Sequence, residues 1–394
     1  MYGFRKIRRW RQKGPRVIVH TLFVQSRNLI QSLFEKKIKG VGIHQLTPEI
    51  SPRDAVSNEI LEIQKILKKM GYNSQIYTQG IHPELRFRVK KYTDYKKRDK
   101  NDIFIYHQTV GIDFLDFIKN LDTKIIMIYH NITPPEYFDG INEKIASLCR
   151  LGLKQLNEIK NIVDIVVAHS EYSKNDLVMH GYQNIHVMPI LLDKKKYECS
   201  LIKNLISKYK NSINILYVGR LAKNKQVDKV IKIFHYYNCK INPNSNLFLV
   251  GKPESFDDKY YLSLKSLIEK EKIKNVHFII GANDKKLVTF YSLADVFVMM
   301  SEHEGFCVPL AECMMFKVPI IAKNTSAIPY TLGEGGILIK NESHVEIGEM
   351  INKIVNDEKF RNKLIEKQSD QFKKLYPKDN ASILNEIINL VKND

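Results

Sequence analysis

The stretch Ile213-Asn214-Ile215-Leu216-Tyr217-Val218-Gly219-Arg220-Leu221-Ala222-Lys223-Asn224-Lys225-Gln226-Val227 passes from a short apolar run, through a glycine turn rich in cations, into an amphipathic segment continued by Val230, Ile231 and Phe234. A buried strand, a tight turn and a helix of period 3.6 follow one another without a gap, which is the first βα unit of a doubly wound sheet. Downstream, apolar runs at 247–250, 278–280, 296–300 and 319–322 repeat the strand signal. Upstream, the same alternation runs through 43–46, 75–77, 103–106, 125–129, 165–168 and 185–188. Between the first two of these, Val56, Ile60, Ile63, Leu67 and Met70 mark a helix. Its start is assigned to Ser51-Pro52-Arg53-Asp54, read as a capping box with proline at the first helical position, and its end to Gly71. The sequence therefore predicts an α/β protein of two facing Rossmann-like domains, with a boundary between 192 and 211 and an interdomain cleft at the carboxyl ends of both sheets. The expected division is a basic arm over 1–40, a first Rossmann-like domain over 41–195, a second over 196–378, and a final helix over 379–394 packing back on the first domain.

Composition agrees with two cores: 394 residues with 44% hydrophobic side chains exceed what one core usually holds. Cys149, Cys199, Cys239, Cys307 and Cys313 lack the paired short spacings of a disulfide framework or a zinc site, which suits a reducing compartment. Charges such as Asp295 break the apolar runs well before the roughly 20 residues that cross a bilayer, so a cytoplasmic protein is expected. A net charge of +19 favours anionic partners. No compact nucleic-acid motif accompanies it, so phosphorylated small molecules or anionic lipid are the expected partners. In the first 40 residues Arg5, Lys6, Arg8, Arg9, Arg11, Lys13 and Arg16 surround Trp10. That arm has no signal-peptide core and is expected to be retained, lying on the inner face of the membrane.

The densest chemistry lies in Ser301-Glu302-His303-Glu304-Gly305-Phe306-Cys307-Val308-Pro309-Leu310-Ala311-Glu312. If a helix begins at Pro309, the amides of Gly305, Phe306 and Cys307 stand at its amino terminus, where backbone donors and the helix dipole favour a phosphate. Carboxylates are repelled by phosphate, so Glu304 and Glu312 suit sugar hydroxyls instead. Arg220 and Lys225, on the first turn of the same domain, supply a fork and a point charge for a diphosphate whose charge rises as a sugar bond breaks.

These elements together, the Gly219-Arg220 turn with Lys225 and the two glutamates eight residues apart in Glu304-Gly305-Phe306 through Glu312, resemble the family-4 retaining glycosyltransferases of the GT-B fold. The resemblance covers most of residues 200 to 340. It implies a nucleotide-diphosphate sugar as donor, transfer with retention, and neither metal nor cofactor. By the same likeness Arg220 and Lys225 match the diphosphate ligands, Glu304 and His130 the residues near the donor sugar, Glu312 the ribose ligand, and Gly281 the base-contacting turn. The acceptor-side half is less similar: the usual glycine pair after its first strand is absent, and Asp54-Ala55-Val56-Ser57-Asn58 stands there instead. Asp54 and Asn131 are its candidate acceptor or cleft residues, and the Ser170 turn is read as structural. The acceptor is expected to be a saccharide or a lipid-linked saccharide of a cell-surface polysaccharide, and the sugar a hexose such as mannose. The competing readings are a nucleotide-sugar epimerase of the same fold and an inactive scaffold in a polysaccharide assembly.

Overall fold

A computed structural model describes residues 41–96, 101–253 and 255–393. The basic arm and its expected membrane contact lie outside the described residues.

The first sheet comprises β1 (Ile43–Ile50), β2 (Ile76–Ile81), β3 (Lys90–Lys91), β4 (Ile103–Gln108), β5 (Lys124–Tyr129), β6 (Ile165–Ala168) and β7 (Ile185–Val187). Their order is β3-β2-β1-β4-β5-β6-β7, and every pairing is parallel. The second sheet comprises β8 (Ile213–Val218), β9 (Ser245–Val250), β10 (Val276–Ile279), β11 (Val296–Met299), β12 (Ile320–Lys323) and β13 (Ile337–Ile339), again wholly parallel, in the order β10-β9-β8-β11-β12-β13. In each sheet the chain runs outward from its first strand and returns on the other side. Switch points therefore fall between β1 and β4 and between β8 and β11, where ligand crevices open in sheets of this kind.

Strands buried on both faces explain the unbroken apolar runs at Ile103–Tyr106 and Leu247–Val250. In the first half, Phe104, Tyr106, Met127 and Tyr129 pack on one face, while Ile43, Ile105, Ile126 and Ile128 pack on the other. The final helix, Asn380–Asn393, adds Leu384, Ile387, Ile388 and Val391 to that second face. The carboxyl-terminal segment thus crosses back and closes the core of the first half.

The helix Ala55–Lys69 begins one turn later than its assigned signals. Its cap is Asp54, whose Oδ2 accepts from the Ser57 amide at 2.9 Å, while Arg53 turns through φ 63° just before it. Pro52 therefore lies outside the helix, a correction with a local cause: Asp54, not Ser51, is the cap, and its carboxylate accepts from the Ser57 amide three residues on. Gly71, at φ 91°, follows the helix end as expected.

Candidate active site

The turns after β8 and β11 flank the second switch point, and this adjacency brings distant residues together. Asn224 O accepts from the Glu302 amide at 2.8 Å, tying the two turns by their backbones. Tyr217 Oη donates to the Arg220 carbonyl at 2.8 Å and shapes the first turn from below. Gly251 is required there, because a Cβ would sit 1.8 Å from the Gly219 carbonyl oxygen. Across this junction Lys225 Nζ stands 2.7 Å from Glu304 Oε1 and also donates to the His303 carbonyl at 3.4 Å. The Glu304 amide donates to Ser326 Oγ at 2.9 Å, fixing the loop from β12's side. Glu302 receives Lys323 at 3.0 Å and Lys229 at 3.4 Å.

The next helix starts at Val308, with Pro309 in its first turn and Cys307 as the capping residue at φ 70°. This left-handed turn lets the chain enter the helix directly from the loop, leaving Gly305, Phe306 and Cys307 at the amino terminus that the sequence assigned to an anion. Cys307 is buried, and burial first, then the Glu304 carboxylate, pushes its thiol well above the ordinary range, so the side chain stays neutral. Phe306 packs its ring against Ile190, Leu192 and Tyr376, at the crossing between the halves. Arg220 is exposed, and its charge partly offsets the burial that raises the Cys149 thiol on the opposite half. Gly281 lies at φ 67° in the turn after β10.

Glu312 is buried one helical turn further on, with Oε1 accepting from Tyr197 Oη at 2.6 Å and Oε2 from Tyr291 Oη at 2.5 Å. Burial and then this carboxylate keep both phenols protonated, so they remain donors. Each oxygen retains a second lone pair. A cavity of about 420 Å³ opens beside it between the halves, lined by Glu312, Tyr197 and Asp284 on one side and by Asn58, Lys65 and Arg88 on the other.

The first half presents a packed wall. Gly305 abuts it: a Cβ at this position would lie 2.7 Å from the His130 carbonyl and 2.9 Å from the Asn131 Cβ. The Gly305 carbonyl accepts from Ser170 Oγ at 2.7 Å and from Ser173 Oγ at 3.1 Å. Ser170 also caps the helix Glu171–Met179, so a structural turn doubles as an interdomain clasp. Asn131, at φ 62°, donates from Nδ2 to Asp176 at 3.3 Å. The ring of His130 turns into the first half rather than standing in the cleft, 3.0 Å from His107 and 4.8 Å, centroid to centroid, from His169. Asp54 has its carboxylate on the cap of its own helix.

Sequence reasoning missed several contributors. His303, between Tyr137 and Tyr172 of the opposite half, is held down to about 4 by burial and then by Lys225. Ser326, Tyr197 and Tyr291 carry no motif, but Glu59 had a legible signal, since it falls within the apolar stripe of Val56, Ile60 and Ile63 and is wholly buried.

Residues 201–371, which hold the paired turns and the helix amino terminus, match the family described as glycosyl transferases group 1. This stretch is similar to the group 1 glycosyl transferases. Curated relatives of the chain include the capsular polysaccharide biosynthesis glycosyltransferase CapM of Staphylococcus aureus, 27% identical over 231 residues, which are 56% of each chain. Another is the O-antigen chain mannosyltransferase B of Escherichia coli, 21% identical over 277 residues, 67% of this chain and 68% of the relative. The chain spans about half the length of the first of these. Among solved structures, HepE of Anabaena in complex with UDP-glucose superposes with a TM-score of 0.70 at 16% identity, covering 90% of this chain and all of that one. The fold is therefore GT-B, and the stretch similar to group 1 lies in its second half. No helix among the described residues is long and apolar enough to cross a membrane.

Proposed function

We propose that this chain transfers a hexosyl group from a nucleotide-diphosphate sugar to a saccharide or lipid-linked acceptor during assembly of a cell-surface polysaccharide, with retention at the anomeric carbon and without a metal at the diphosphate. The observation that carries this reading is the Lys225–Glu304 contact of 2.7 Å at the amino terminus of the helix Val308–Phe316. Both side chains are nearly buried, 13% and 12% exposed, so the cation is poised rather than solvated. Lys225 and Arg220 hold the diphosphate, the helix amides receive its oxygens, and Glu304 accepts from donor-sugar hydroxyls. Transfer proceeds on one face: the acceptor hydroxyl attacks as the diphosphate leaves, and the leaving phosphate takes the acceptor proton. Positioning and stabilisation of the departing charge supply the rate. Two relatives are named for capsular polysaccharide biosynthesis and for an O-antigen chain, which supports the acceptor class.

The test is incubation of the full chain with UDP-glucose or GDP-mannose and a lipid-linked saccharide, with the product's anomeric configuration read by NMR. Release of nucleoside diphosphate with an α-linked product from an α-linked donor is expected. Inversion, or conversion of the donor into an isomer without acceptor, would overturn the reading.

A further inference from the structure

Behind the wall that meets Gly305, three adjacent strands of the first sheet each deliver an imidazole at or just beyond their carboxyl end: His107 on β4, His130 after β5 and His169 after β6. Their hydrogen bonds determine which nitrogens carry protons. The Ile60 carbonyl only accepts, so the Gln45 amide nitrogen faces it at 2.9 Å, and Gln45 Oε1 accepts from His107 Nε2 at 3.0 Å. The remaining His107 nitrogen, Nδ1, is then a lone pair and accepts from His130 Nε2 at 3.0 Å. That leaves His130 Nδ1 as a bare lone pair. His169 Nδ1 donates to the Met188 carbonyl at 2.9 Å, so in the neutral ring Nε2 is bare as well. Glu59 receives the Leu191 amide on Oε1 at 2.9 Å and turns Oε2 toward both rings, 3.1 Å from His169 Nε2 and 4.0 Å from His130 Nδ1.

Three acceptors thus converge, all within 4.8 Å of one another, on side chains that are 0 to 4% exposed. Apart from the 3.1 Å approach of Glu59 Oε2 to His169 Nε2, none of the three atoms has a hydrogen-bond partner among the described residues. Buried acceptors facing one another are costly unless a cation stands among them. A proton shared by His169 and Glu59 satisfies two of them and leaves His130 Nδ1 unpaired. A divalent ion satisfies all three.

We propose that Glu59, His130 and His169 form a buried site for one divalent transition-metal ion. Two neutral imidazoles and a carboxylate are the ligand set of tetrahedral zinc, whose ligand atoms at about 2.0–2.1 Å from the metal stand roughly 3.3 Å apart. Each ligand is already aimed by a partner behind it: His107 behind His130, the Met188 carbonyl behind His169, and the Leu191 amide behind Glu59. The cavity between the halves includes Glu59 in its lining. The ion is separate from the Lys225–Glu304 contact and takes no part in transfer. It fixes the β5 and β6 turns, whose backbone and Ser170 meet Gly305, so it sets the wall against which the second half closes. The site does not depend on the proposed activity.

The test uses the full chain, stripped with a chelator and dialysed against Zn²⁺ alone or Co²⁺ alone. One equivalent of Zn²⁺ per chain is expected, with the cobalt form showing visible ligand-field bands of a tetrahedral nitrogen and oxygen site and a higher melting temperature than the stripped protein. Glu59→Gln and His169→Gln should each weaken zinc binding by about 100-fold or more while keeping the native circular dichroism. Uptake below a tenth of an equivalent by the native chain would overturn the site without reference to any variant, and so would thiolate charge-transfer bands from the cysteines. Folded variants that bind zinc like the native chain would overturn it equally.

Discussion

The carboxyl ends of the two sheets face each other across one cleft, yet they handle charge in opposite ways. Around the turns after β8 and β11, Lys225 pairs with Glu304, and Glu302 pairs with Lys229 of the following helix and Lys323 of β12, so each carboxylate there is opposed by a cation. After β4, β5 and β6, the equivalent positions hold imidazoles that are packed inward, with His107 pushed down to about 3 by burial and then by His169. The charged side can exchange its internal partners for an anionic ligand, because each carboxylate already balances a lysine. The packed side offers no charge to an anionic ligand and serves as a surface of fixed shape. A cleft of this kind needs one half to recognise charge and the other to hold position.

Substitutions that cross this division should differ in what they break. Phe306→Ala removes a buried ring shared by both halves and should cost about 3–5 kcal/mol of stability, read as a shift in the denaturant midpoint. A loss under about 1 kcal/mol would show that the halves do not share this core. Lys225→Ala should leave the fold intact and lower turnover about 10²-fold or more, which makes it the sharpest functional contrast with the packed wall. Gly305→Ala drives a methyl group against the His130 carbonyl and should cost about 1–3 kcal/mol while raising KM for the acceptor, because the halves can no longer close fully. Unchanged kinetics there would mean that closure is not required.

Acid should weaken the seam through His303. Its folded value, near 4, lies below the ordinary 6.5, so the unfolded chain binds the proton more readily. The stability due to the neutral ring is complete above pH 6.5 and is lost as pH falls toward 4, with a slope of up to about 1.4 kcal/mol per pH unit. His303→Gln should flatten the melting-temperature profile across that window, and an identical profile would remove His303 from the seam. The smallest effect belongs to Lys323→Ala, whose partly exposed pair with Glu302 should contribute less than about 1 kcal/mol.

Much of this organisation was legible because long buried strands and turn cations announce themselves. The segment from Ile213 to Phe234 read as strand, turn and helix, and the structure builds β8, the Gly219–Gln226 turn and the helix Val227–Tyr236 from it. The edge strand β3 was not legible, since two residues carry no periodicity of their own, and β13 was not read either. Glu304 and Lys225 could be assigned to one domain, but their contact depends on the strand order, in which β8 and β11 are neighbours despite the intervening β9 and β10. The inward turn of His130 was hidden for a similar reason. It depends on Glu59, His107 and His169, which lie on three other elements, and only the fold brings them together.

The most direct measurement is the thermal shift of the native chain and of Lys225→Ala with UDP, GDP and their sugar conjugates. A ligand that binds only the folded state raises its melting temperature. One nucleotide series should stabilise the native chain by several degrees and the variant far less. Equal shifts in both proteins, or no shift with any nucleotide diphosphate, would contradict a diphosphate site at Lys225.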